Sequence, residues 1–241
     1  MRKLVAVILI ATAAWARAGE FETANALYDE GRFSEARQRY QAMVERGERS
    51  ANLFYNLANA DFRMGAVGLA VLNYERALSL APSHPEARAN IRLLRDQSNA
   101  KVPARTWADA GFGGLSLDGW TLLATGAGWG AIFALLTPFA LRRRLPGVLV
   151  FFGILALLVA SYAGAGIWHQ TRERNVAVVI ARQAEARLEP ADRAGLADTL
   201  PSGSRVRVLS ERGAWIYCEL PEHRLGWLPA ASLEKVQLPP S

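Results

Sequence analysis

ANLFYNLANADFRMGAVGLAVLNYERALSLAPSH, residues 51–84, repeats a spacing already set out by the residues before it. Gly31, Ala36 and Tyr40 are followed 34 residues later by Gly65, Ala70 and Tyr74. Small residues at fixed offsets mark close helix–helix approach, and an aromatic at a third offset fills the gap between neighbouring helix pairs. One such pair cannot bury its apolar face alone, so the period predicts a stack. The first unit, about 17–50, is carried by Phe33, Ala36, Tyr40 and Met43. The second covers 51–84, and Pro85 to Ser98 reads as a closing helix with Ala87, Ile91 and Leu94 on one face.

The second unit resembles a tetratricopeptide repeat. Phe54, Leu57, Ala58, Gly65, Ala70, Tyr74, Ala77 and Pro82 fall where that pattern wants aromatic, Leu, small, small, Ala, aromatic, Ala and Pro. Asp61 departs from it, at a position usually aromatic. The resemblance implies a concave groove that takes a peptide. Four asparagines share the period, Asn25 with Asn59 and Asn56 with Asn90, and primary amides both donate to and accept from a peptide backbone. The groove residues expected are Asn25, Tyr28, Tyr55, Asn56, Asn59, Phe62, Arg63 and Asn90. Members of the family that clamp a terminal carboxylate carry asparagines at the places of Asn25 and Asn56. Their basic residues are replaced here by Phe21, Glu86 and Asn90, which favours an internal peptide or another domain as ligand.

Beyond Arg174 the helical pattern gives way to short β-rich stretches, Val176 to Ile180, Arg205 to Leu209, Trp215 to Leu220 and Leu225 to Leu228, with a turn at Glu211-Arg212-Gly213. The runs LPSGSRVRVL (200–209), Gly213-Ala-Trp215 and Gly226-Trp227-Leu228 resemble the bacterial SH3 domain. That likeness covers about 176–236 and implies a small barrel with Trp215, Tyr217 and Trp227 as ligand-binding aromatics.

Between these segments lie two uncharged runs, Trp120 to Leu141 and Leu145 to Trp168, each long enough to cross a bilayer. Arg142-Arg143-Arg144 joins them, and short Arg-rich loops stay in the cytoplasm, so both flanks are expected outside. Trp120 and Trp168 fall at the outer ends, where amphipathic rings favour the interface, and Gly126, Gly128 and Gly130 offer a flat face for close helix approach. Arg2-Lys3, an apolar run to Ala14 and Ala-x-Ala sites ending at Ala16 and Ala18 read as an export signal. Charge agrees with this division. Of a net +6, three positive charges belong to residues 1–18 and two to 106–174, against one for 19–105 and none for 175–241. No basic face for nucleic acid emerges.

The expected architecture is a multidomain membrane protein: signal peptide 1–18; all-α tetratricopeptide domain 19–100, with its capping helix at 85–98; linker 101–119; transmembrane helices 120–141 and 145–168 around a turn at 142–144; and an all-β SH3-like barrel at 175–238. This order resembles the BatE proteins of the Bacteroides aerotolerance group, with local likeness in Tyr55-Asn-Leu-Ala-Asn-Ala, Asn73-Tyr-Glu-Arg-Ala-Leu and Ala89-Asn-Ile. The resemblance implies an envelope complex, with von Willebrand factor A-domain Bat proteins as partners. There is no phosphate loop, His-Glu-x-x-His or nucleophile elbow. His84, His169 and His223 are scattered and Cys218 is single, so no catalytic residues, metal site or cofactor are expected. Two functions compete: a scaffold anchored in the inner membrane and facing the periplasm, which recruits protein partners, and a peptidoglycan-binding or sensing protein acting through the barrel.

Overall fold

The computed structural model describes residues 19–103, 111–112, 114–140, 147–172 and 175–238. The signal at 1–18 and the arginine turn at 142–144 lie outside the described residues, as does 104–110 of the linker. The first segment is five antiparallel helices: α1 (19–29), α2 (Phe33–Glu45), α3 (Ala51–Arg63), α4 (Val67–Leu80) and α5 (Pro85–Ser98). Gly31 and Gly65 close equivalent turns in the left-handed region, at φ 80° and 75°, which an L side chain enters only at a cost. Ser50 caps α3 by accepting from the Leu53 amide at 3.1 Å. Pro85 opens α5, whose first turn is capped by His84. The expected small positions do their work: Ala36, Ala58, Ala70 and Ala77 are wholly buried against Tyr40, Phe54 and Tyr74.

The C-terminal segment is one antiparallel sheet of seven strands, in the order β3-β2-β6-β5-β4-β1-β7. They are β1 (Val176–Val179), β2 (Gln183–Arg187), β3 (Leu196–Pro201), β4 (Arg205–Arg212), β5 (Trp215–Glu219), β6 (Leu225–Pro229) and β7 (Leu233–Lys235). Every strand gives at least one side chain to a common core that includes Ala177, Ala186, Leu200, Val208, Cys218, Leu228 and Leu233. The Cys218 thiol is pushed up to about 12 by burial, so it stays protonated and packs as a small apolar group. Three strands escape the sequence reading. β2 and β3 (QAEAR and LADTLP) are poor in β-branched residues, and β7 is three residues long. The turn expected at Glu211-Arg212-Gly213 falls later, because β4 runs through Arg212 and Gly213 turns at φ 60°.

The helices and the sheet, far apart in sequence, form a single compact unit. β1 reads VAVV because both of its faces are buried. Ala177 and Val179 point into the sheet core, while Val176 and Val178 join the helical core. Gly68 lets α4 meet this strand: a Cβ there would lie 2.6 Å from the Val179 carbonyl oxygen. Polar groups fasten the same contact. Arg76, 7% exposed, donates to Glu234 at 2.7 Å and to the carbonyls of Lys235 and Val236 at 3.0 and 3.2 Å. Lys101 pairs with Asp198 at 2.6 Å, and its amide donates to the Ser204 hydroxyl.

Residues 105–174 form a separate unit. Its helices α6 (Leu117–Ala140) and α7 (Gly147–Arg172) contain two stretches long and apolar enough to cross a membrane, Leu117–Thr137 and Gly147–His169. Only 11% of each stretch is buried, unlike the core helix of a soluble domain. Two sequence expectations change here. The space beside Gly126, Gly128 and Gly130 is open, and the close approaches fall at Gly153 against Leu135 and Gly166 against the Trp120 ring. Trp120 is 3% exposed and gives its indole N–H to the Phe112 carbonyl at 3.2 Å, so it is a packing residue rather than an interface ring. Trp168, by contrast, is 58% exposed.

Candidate functional site

The helical segment carries an open cleft of about 280 Å³ lined by Asn25, Tyr28, Asp29, Tyr40, Asn56 and Asn59. Asn25, Tyr28 and Asp29 come from α1 and Asn56 and Asn59 from α3, one turn apart on a shared face. Tyr40 of α2 forms the floor. Its ring is 1% exposed, and its hydroxyl donates to Asn25 Oδ1 at 2.7 Å. Asn56 Nδ2 donates to the same oxygen at 2.9 Å. Burial pushes the Tyr40 phenol up to about 12, so the floor is neutral at physiological pH. Asn25 Oδ1 is thereby spent inside the protein, while the Asn25 amide nitrogen is used by none of these bonds.

The next period repeats the device. Tyr74 donates to Asn59 Oδ1, and Asn90 Nδ2 donates to the Tyr74 hydroxyl at 3.0 Å. Of the asparagines that sequence reading assigned to the groove, Asn25, Asn59 and Asn90 are thus held by buried tyrosines 15 or 16 residues from them in the chain, and Asn56 is held by Asn25. Of the expected groove residues, Asn25, Tyr28, Asn56 and Asn59 line the cleft, and Tyr55, Phe62, Arg63 and Asn90 do not. Tyr55 stacks on His84 with ring centroids 4.7 Å apart. Arg63 lies 4.2 Å over the Phe33 ring, which in turn packs edge-on against Tyr28, so Arg63 touches a neighbour of a cleft residue. Phe62 is 37% exposed at the end of α3. Asp29 and Tyr40 were missed. Asp29 stands four residues after Asn25, a spacing that signals a shared helix face, whereas Tyr40 reads from sequence as core only.

Asp61, which departs from the repeat pattern, is 1% exposed and joins a polar chain through the helices. Arg37 donates to it at 2.6 Å and Asn73 at 2.8 Å, and Arg76 links Asn73 to Glu234 of β7. Burial pushes the Asp61 carboxyl up, and the bonds from Arg37 and Asn73 only partly oppose it. An aromatic here would break this chain.

On the sheet, Trp215, Tyr217 and Trp227 alternate with the buried Ile216, Cys218 and Leu228, so all three sit on the face away from the sheet core. Tyr217 and Trp227 are directly paired across β5 and β6, with ring centroids 4.9 Å apart. Beside them Glu219 accepts from Arg207 at 2.9 Å and meets His223 Nδ1 at 2.7 Å; His223 and Arg207 hold its carboxyl below the usual range. Among the described residues no three His, Cys, Asp or Glu side chains group as a metal site would need. No family model matches the chain, and no curated protein matches it.

Proposed function

We propose that this chain is a membrane-anchored adaptor, with tetratricopeptide helices that hold a protein partner and an SH3-like sheet docked on them, in the manner of the BatE proteins it resembles. The observation that carries this reading is the cleft on α1 and α3, which offers asparagine amides already oriented by buried tyrosines. Pre-oriented donors lower the entropy lost when an extended peptide binds. Two apolar helices supply the anchor. The segments before and after them pack as one unit, so a hairpin that crosses the membrane must return both to the same side. Arg142-Arg143-Arg144 and the N-terminal export signal put that side in the periplasm of an inner-membrane protein. Its partners are then envelope proteins, with von Willebrand factor A-domain Bat proteins the class suggested by resemblance.

A photo-crosslinking side chain at Tyr28, used in native membranes, tests the groove. A defined partner should be captured and then lost in the Asn56→Ala, Asn59→Ala pair; capture that survives both changes counts against it. Alkaline phosphatase fused after Ser241 should be active, and a cytosolic, inactive fusion would reverse the orientation.

A second reading, cell-wall binding, is favoured by the outward Tyr217–Trp227 pair, since stacked rings form a platform for sugars or peptides. Sedimentation with purified sacculi, abolished by Trp227→Ala, would support it, and no sedimentation would remove it.

A further inference from the structure

We infer that the cleft on α1 and α3 selects a peptide by a cationic side chain, an arginine or lysine, and rejects a terminal carboxylate. This deepens the adaptor reading and rests on it. Three features of the wall converge on that ligand.

The first is charge. Asp29 is exposed at the rim, Glu22 lies one turn before Asn25 on α1, and among the described residues no basic side chain lines the cleft. Glu22 and Asp29 are close enough to act electrostatically on the Tyr40 hydroxyl. Arg63, on the same helix as Asn56 and Asn59, does not line the cleft and is held over the Phe33 ring. An incoming carboxylate would meet like charge with no compensating donor of full charge, whereas a guanidinium or ammonium would meet Asp29.

The second is the ring set. Tyr28 is a half-buried aromatic in the cleft lining, and the buried Tyr40 beneath it is uncharged. Aromatic faces attract cations through the ring quadrupole, and Arg63 over Phe33 already uses this contact next door.

The third is size. At about 280 Å³ the cleft lies at the lower edge of the range for a small-molecule site and has room for one long side chain. The amides of Asn25 and Asn59 can then hold the peptide backbone while Asp29 reads the side chain.

Titration of the full-length protein in nanodiscs with three probes tests this. They are acetyl-Ala-Ala-Arg-Ala-Ala-amide, the same peptide with Glu for Arg, and acetyl-Ala-Ala-Ala-Ala-Ala with a free C-terminal carboxylate. The arginine peptide should bind at least about tenfold more tightly than either other probe. Asp29→Asn should erase most of that preference, with the unfolding midpoint unchanged because the side chain is exposed. Equal or tighter binding of the glutamate or free-carboxylate peptide would overturn the cation preference while leaving the groove intact. Binding of none of the three would overturn the groove itself.

Discussion

The two helical units follow one spacing and end in different surroundings. In the first, α1 and α2 bury Tyr40 beneath an open cleft, and the outer side of α2 remains in solvent through Arg39 and Glu45. In the second, Tyr74 makes the equivalent bond to Asn59 and Asn90 takes the place of Asn56, but α4 is buried along most of its length between α3, α5 and β1. The difference lies in a few side chains. Gly68 and Arg76 of the second unit stand where the first has Ser34 and Ala42, 34 residues earlier. The repeat supplies the helix packing, while Gly68 and Arg76 convert one copy into a platform for the sheet and the other keeps its outer face in solvent.

Exchanging these residues breaks the contrast. Arg76→Ala gives the second unit the residue of the first and leaves Asn73, Glu234 and the Lys235 and Val236 carbonyls without their donor. A loss of about 3 kcal/mol is expected in denaturant unfolding, with proteolysis between helices and sheet rising in parallel. Gly68→Ala forces a Cβ onto the β1 backbone and should cost about 2 kcal/mol, whereas Ser34→Ala, exposed in the first unit, should change stability by less than about 0.5 kcal/mol. Equal effects at 34 and 68 would mean that α4 does not carry the sheet.

Tyr74→Phe and Tyr40→Phe sharpen the comparison at smaller scale. The first strands both Asn59 and Asn90, and the second leaves Asn25 still bonded to Asn56. Tyr74→Phe should therefore cost about 1.5 kcal/mol and Tyr40→Phe about half as much, measured as shifts in unfolding midpoint.

The smallest effect comes from pH and is expected at two carboxylates of the helix–sheet unit, Glu75 and Asp198. Burial pushes Glu75 up, but Arg205 of β4 and Arg95 of α5 outweigh it and hold the carboxyl below its ordinary value. Asp198 is likewise lowered on balance, by Lys101, the Thr199 amide and Arg224 against burial. A depressed folded value means that the stabilisation is present above the ordinary carboxylate range and is lost as pH falls through the depressed one. Acid should loosen the sheet from the helices first, and Glu75→Gln should flatten that decline. A decline unaffected by Glu75→Gln would place the acid sensitivity elsewhere.

Much of this was legible in the sequence because it depends on local periods. The spacing of Gly31, Ala36 and Tyr40 against Gly65, Ala70 and Tyr74 located the helix pairs, and two uncharged runs located the apolar helices. The contact of α4 with β1 was not legible, since its partners lie about a hundred residues apart and neither pattern demands the other. VAVV hinted at it, as a strand with no polar face needs cover on both sides. Within the cleft, asparagine periodicity pointed to the right helix faces but not to the tyrosine bonds that spend part of the amide capacity. The glycine-rich face of α6 misled because composition does not say which side of a helix meets its neighbour; Gly153 and Gly166 of α7 do that.

The central claim is that residues on either side of the apolar hairpin fold as one body. The chain has three lysines, Lys3, Lys101 and Lys235, so zero-length carbodiimide coupling in native membranes gives a sparse map. Lys235 lies 2.5 Å from Glu211 within the sheet and serves as the internal control; Lys101 lies 2.6 Å from Asp198 across the contact. Mass spectrometry should find both amide links within single chains. Recovery of the Lys235–Glu211 link with no Lys101–Asp198 link would contradict the account.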